Sequence, residues 1–224
     1  MPGEPCFRNF STVYSTTIEP IKLRAPDEYR TIAAPVRAEL VVQSSRFIAD
    51  IFPVDSIISA DGNLQKIKKE FYSATHHSWA YRIGAENPTV RSNDDGEPNG
   101  TAGKPILTAL ERQDVTNALL IVTRYFGGVK LGTGGLARAY GEAAELALGK
   151  AEIVTRIIYE QLSLSCDYDV LPKVKSVLYK HGKIIREEFE PAPKIVFEVR
   201  KGEAENIKKL MTDAARGKIA IESL

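Results

Sequence analysis

The apolar positions fall into short runs whose period changes repeatedly along the chain. Val36 to Val42 and Arg46 to Ile51 alternate apolar and polar residues, which predicts two strands joined as a hairpin across Gln43-Ser44-Ser45. Leu64, Ile67, Lys68 and Phe71 then recur at three- and four-residue spacing after Asp61-Gly62, predicting a helix over Asn63 to Phe71. Trp79 to Ile83 alternates again as a strand, with Trp79 read as core. Gly84 to Gly103 is rich in Gly, Pro, Asn and Asp, the chemistry of turns, and reads as one long loop. Ile106 to Arg112 reads as a short helix. Ala118 to Thr123 is a continuous β-prone run suited to a strand buried on both faces. A second helix follows to about Leu148, with Leu136, Tyr140, Ala143 and Ala147 on its apolar face and Thr133 as its cap.

From Ile158 onward the order becomes strand, helix, strand, strand, helix, strand. Leu162, Leu164 and Cys166 alternate, and Val170, Val174, Val177 and Leu178 share a helical face that ends at His181-Gly182. Lys183 to Phe189 pairs with Lys194 to Arg200, Ala204 to Ala214 is helical, and Lys218 to Ile221 is the last strand. This is the split βαβ, ferredoxin-like unit. The chain is therefore read as α+β in three parts: an irregular extension over 1–28, an N-terminal α+β domain over 29–157, and a ferredoxin-like domain over 158–224. The extension holds four of the twelve prolines and no sustained periodicity.

Composition narrows the chemistry. A hydrophobic share of 43% beside 26% charged residues is ordinary for globular domains. A net charge of +1 leaves no global field for nucleic acid or membrane, so any such affinity must be local. Two cysteines, Cys6 and Cys166, make neither a disulfide framework nor a metal motif, and Cys166 alternates with core positions. A cytoplasmic setting is expected. Apolar runs are too short to span a membrane, and Glu4 and Arg8 stand where an export signal would be apolar.

The local signal is glycine. Ten of sixteen glycines lie between Gly84 and Gly141, six of them from Gly127 to Gly141. From Val115 to Gly141 the charged residues are Arg124, Lys130 and Arg138, with no acid. Gly132, Gly134 and Gly135 beside Thr133 at a helix start would aim free N–H groups outward, with the positive end of the dipole behind them. One reading seats a phosphate or RNA backbone on this patch; the other has the glycines permitting tight packing under solvated cations. Tyr125-Phe126 beside Arg124 reads as core, the alternative being an aromatic that stacks a base.

Other constellations fail on spacing. Gly132 to Ala137 satisfies G-x-G-x-x-A, yet eight residues separate it from its strand, against a dinucleotide cofactor. Glu97 to Pro105 mimics a P-loop, but Pro98 and Pro105 occupy essential Gly and Ser/Thr positions. No cofactor is expected. Asp94, Asp95 and Glu97 read as a turn whose carboxylates take backbone N–H groups, against a cation or acid–base site. Adjacent His76 and His77 point to opposite sides of a strand and cannot share a metal. No metal site and no catalytic residue are assigned.

Four stretches together carry a resemblance: Ser45-Arg46-Phe47-Ile48, His76 to Tyr81, Asp94 to Pro105, and Arg124 to Tyr140. With these the chain resembles the IMPACT family, in its bacterial YigZ-like branch. The resemblance implies an N-terminal domain of the kind found in a small-subunit ribosomal protein and in domain IV of elongation factor G. It implies a C-terminal domain like the last domain of that factor. It also implies translation regulation in a starvation stress response, as for eukaryotic members. The expected function is binding of RNA, ribosome or a translation-related protein, with no membrane partner. The binding face is placed at Arg46, Arg124, Lys130, Arg138 and the glycine loop Gly127-Gly128. The candidate binding set also takes in Tyr125, Thr101, Gly103, Lys104, Gly132, Gly134 and Gly135, with His76, Asp94, Asp95 and Glu97. The alternatives are a small-molecule hydrolase using Asp94, Asp95 and Glu97 with His76, and a pure protein-interaction module.

Overall fold

A computed structural model of the chain describes residues 27–224. The expected extension and Cys6 lie outside the described residues, apart from Asp27 and Glu28. Those two are ordered parts of the fold. Glu28 opens β1 (Glu28–Ile32), which pairs antiparallel with β7 (Ile153–Ile157).

The first domain is a five-stranded antiparallel sheet in the order β2-β3-β6-β4-β5. Its strands are β2 (Val36–Val42), β3 (Ser45–Pro53), β4 (His76–Ile83), β5 (Thr89–Asn93) and β6 (Ala118–Tyr125). The β2–β3 hairpin turns on Gln43 and Ser44, both with positive φ (44° and 65°), the mirror-image turn that follows strand twist. Strand β6 sits in the middle, and its alternation serves two cores. Ala118, Leu120 and Val122 face α2 (Gly103–Arg112) and α3 (Gly132–Lys150), while Leu119 and Ile121 face α1 (Ile57–Glu70). A continuous apolar run is what a strand covered on both sides requires.

Several element limits differ from the sequence reading. Helix α1 starts at Ile57, because Ser56 accepts from the Ser59 N–H and the Ser59 hydroxyl accepts from the Ser56 N–H. This reciprocal cap satisfies two amides and carries Asp61-Gly62 into the helix. The long 84–103 loop contains an edge strand, β5, every residue of which is exposed. An edge strand paired on one side shows no apolar alternation to read. Thr133 is not a cap: α3 begins at Gly132 behind Leu131, with no side chain closing its first turn.

The second domain has β8 (Tyr159–Cys166), α4 (Leu171–His181), β9 (Gly182–Glu188), β10 (Lys194–Arg200), α5 (Ala204–Ala214) and β11 (Ile219–Ser223). Strand order β11-β8-β10-β9, antiparallel throughout, is the ferredoxin-like arrangement. Leu162, Leu164, Cys166, Ile195, Phe197 and Val199 pack against Val174 and Leu178 of α4 and Ile207 and Met211 of α5. Asp27 ties the two domains. It accepts from Arg200 at 2.6 and 3.1 Å and from the Gly202 N–H at 3.1 Å, and the Arg200 hydrogen bond leads in holding its carboxyl below the usual range.

Candidate functional site

At one end of the five-stranded sheet the register sets Phe47, Arg124 and His76 side by side on the face that meets α3. Arg124 is the last buried residue of β6, and its side chain is 6% exposed. A buried cation needs a partner, and Glu97 supplies it: Arg124 Nη1 donates to Glu97 Oε1 at 2.6 Å. The Tyr140 hydroxyl donates to the same oxygen at 2.8 Å. Burial, reinforced by the Glu97 charge, pushes the Tyr140 phenol above its usual range and keeps it a donor. Arg124 Nη2 reaches Ser45 Oγ at 3.4 Å, and the Gly127 N–H donates to that oxygen at 3.2 Å. The guanidinium also stands 5.5 Å from the ring centres of both Phe47 and Phe126.

His76 closes the cluster from the sheet edge side. Its Nδ1 lies 2.8 Å from the Asp95 carbonyl oxygen, which can only accept, so Nδ1 carries a hydrogen and Nε2 is turned toward Glu97. That Nε2 is 3.9 Å from Glu97 Oε1. His77 points to the opposite face, with Nε2 bonded to the Phe71 carbonyl at 3.1 Å; burial holds its pKa below the ordinary histidine value.

The acidic run is consumed by the fold itself. Asp94 accepts from the Gly100, Ala102 and Gly103 N–H groups at 2.9, 3.0 and 2.8 Å, filling the start of α2 with the protein's own anion. Burial opposes ionisation of Asp94, and the three amides outweigh it, leaving the carboxyl below the usual range. Asp95 accepts from the His77 N–H at 2.7 Å and from Lys68 at 3.1 Å. With Glu97 held by Arg124 and Tyr140, all three carboxylates have protein partners. The Thr101 hydroxyl donates to the Pro98 carbonyl at 2.6 Å, tightening the same turn. Among the described residues no group of three or more His, Cys, Asp or Glu is placed to hold a metal ion.

The predicted basic face divides by depth. Arg124 is interior. Arg46 is exposed, yet forms a two-pronged pair with Glu39 at 2.6 and 2.8 Å. Lys130 and Arg138 are exposed and form no ion pair among the described residues; Lys104 is exposed near the start of α2. Phe126, read as core, is 47% exposed, because the chain leaves the sheet after Tyr125 and its ring caps Arg124 from outside. Gly128, Gly132 and Gly134 are exposed and Gly135 half-buried. Two glycines are required by close approach: a Cβ on Gly127 would lie 2.1 Å from the Ser44 carbonyl, and one on Gly103 2.7 Å from the Asn93 nitrogen.

Tyr140, Ser45 and Ser78 are the members that spacing missed. The signal for Tyr140 was there: a tyrosine on the apolar face of a helix must take its hydroxyl to a buried partner. Ser78 donates to the Asp94 carbonyl at 2.8 Å and so pins the acidic turn to β4.

Comparison with known proteins sets this geometry in a family. The Impact N-terminal domain model matches residues 43–148, which hold the whole cluster, and a domain of unknown function matches 164–218. The IMPACT family member YvyE of Bacillus subtilis is 36% identical over 87% of this chain and 90% of its own length. The chain belongs to the IMPACT family. The family member YigZ of Escherichia coli is 35% identical over 70% of this chain and 79% of its own. Protein IMPACT of Rattus norvegicus is 36% identical over 42% of this chain and 31% of its own. A crystal structure of a protein described as hypothetical superposes with a TM-score of 0.68 at 29% identity, covering 88% of this chain and 98% of that one. As in the sequence reading, the fold is two-domain α+β. No helix of the described residues is long and apolar enough to cross a membrane.

Proposed function

We propose that this IMPACT family member is a translation-associated binding protein that holds RNA, ribosome or a translation partner on the face formed by the 126–135 loop and the start of α3. The observation that carries the reading is the exposed first turn of α3. Its amides have no side-chain cap, and Lys130 and Arg138 stand free on either side in the sequence. Those amides and cations together favour a polyanion. Arg124 supports the face from beneath and does not touch the ligand, since its charge is spent on Glu97.

The test is co-sedimentation with ribosomes at two salt concentrations. Replacing Lys130 and Arg138 together by alanine should weaken binding at least about tenfold at low salt and flatten its salt dependence, as expected when phosphate contacts are lost. Unchanged affinity and slope would overturn the reading. Retention that survives nuclease and both substitutions would assign the chain to protein interaction alone.

A further inference from the structure

We infer that the ligand of this face is an unpaired nucleic-acid strand, one base of which stacks on Phe126. The inference rests on the reading above and narrows it. Phe126 presents a large apolar ring to solvent, 47% exposed, from a loop fixed at three points. Its N–H donates to Thr75 Oγ1 at 3.1 Å, the next N–H donates to Ser45, and Gly127 is wedged against Ser44. Beneath the ring lies the Arg124 guanidinium, itself locked by Glu97, so the ring has a rigid floor and little freedom to collapse. A ring held in place costs little entropy to use as a platform.

The surroundings favour a nucleotide over a protein side chain. Beyond the ring come Gly127 and Gly128, and at Gly128 a Cβ would meet nothing within 4 Å, so a flat base has open approach. Lys130 follows for the phosphate. Tyr72, 85% exposed, stands on the 71–75 segment whose Thr75 hydroxyl accepts from the Phe126 N–H. Val129 is the one other exposed large apolar residue of the loop, too little for an apolar protein contact. A paired duplex hides its base faces and would gain from the cations alone. The second domain also exposes aromatic rings, Phe189 beside Lys175 among them, but no glycine-rich helix start adjoins Phe189 in the chain.

The experiment is fluorescence anisotropy of the full chain with a labelled single-stranded RNA, the same sequence as single-stranded DNA, and the RNA as a duplex. Phe126→Ala should weaken both single strands about 5- to 100-fold and leave the duplex unchanged, the size expected for one stacked base. Phe126→Tyr should keep affinity within about twofold and Phe126→Leu should not, since a leucine keeps apolarity and loses the ring. An unchanged circular dichroism melt checks that Phe126→Ala folds. Equal binding of single strands by Phe126→Ala and the parent overturns the inference, as does an equal loss on the duplex. If Lys130→Ala with Arg138→Ala lowers ribosome binding and Phe126→Ala changes nothing, the proposed function stands and this inference falls. If nothing but a nuclease-resistant protein contact responds to Phe126→Ala, both fall.

Discussion

The two domains solve the problem of burial differently. Of the twelve buried polar or charged side chains among the described residues, eleven precede Ile158 and one, Ser163, follows it. The ferredoxin-like domain closes on leucine, isoleucine, valine, phenylalanine, methionine, alanine and Cys166, and non-directional burial is enough to hold it. The first domain has comparable apolar layers on both sides of its sheet, yet at one end it also buries Arg124, Glu97, Ser45 and Ser78. Buried charge is costly unless every partner is in place, so it adds little net stability. What it adds is direction. Each member fixes a loop: Glu97 the acidic turn, Ser45 the Gly127 amide, Arg124 the Phe126 ring. The lesson is that non-directional burial suffices to close one domain, while the buried polar groups of the other hold particular loops in place.

That contrast is broken most forcefully at Arg124. Arg124→Ala leaves Glu97 buried without its cation and should cost about 3–5 kcal/mol in urea unfolding. The double change Arg124→Met with Glu97→Leu should recover most of this, because removing both charges removes the unpaired one. A double variant as damaged as the single one would show that the cluster stabilises by more than pairing.

Next in size is Asp94→Ala, which strips three amides at the start of α2 of their acceptor and should cost about 2–3 kcal/mol. The pH dependence has a defined sign. The folded pKa of Asp94 is lowered, so its contribution is complete above the unfolded value of about 3.9 and is lost as pH falls through the folded one. Parent and variant should therefore differ fully near neutrality and converge in acid, measured as denaturation midpoints across pH. A constant gap would mean that the carboxylate charge is not what holds the turn.

Smaller again is Gly127→Ala, whose new Cβ would meet the backbone of Ser44 and should cost about 1–3 kcal/mol, with the 126–131 amides exchanging faster by NMR. The smallest effect has the opposite sign. At Gly134 a Cβ meets nothing within 4 Å and φ is not positive, so Gly134→Ala should raise stability by about 0.5–1 kcal/mol, read as a rise in Tm. If ribosome binding falls in the same variant, the glycine is kept for ligand approach at the expense of helix propensity.

Much of the fold was legible in the chain. The period-2 runs gave β2 and β3, the unbroken apolar run gave the central β6, and the βαββαβ order gave the second domain. Helix α1 was cut short because Asp61-Gly62 looks like a start, while the true cap, Ser56 with Ser59, is a reciprocal pair of hydroxyls. Strand β5 was hidden because an exposed edge has no buried side to impose alternation. The acidic run was legible as a turn, since Asp and Gly at that density satisfy amides locally.

The depth of the cations was not legible, and it changes the site most. In sequence Arg124, Lys130 and Arg138 are three equal charges in a glycine-rich stretch. Strand alternation by itself gives Arg124 a side of the sheet without saying how far the sheet end is covered. Tyr140 and Glu97, 16 and 27 residues from it, bury that end and bind its charge. Local periodicity is a property of neighbours in the chain, so sequence alone determined the periodic elements and their inward faces, and missed β1, β5 and β7. Which charges are spent inside and which remain for a ligand depends on contacts between distant segments, whose pairing energies exist only once the sheet and α3 have packed.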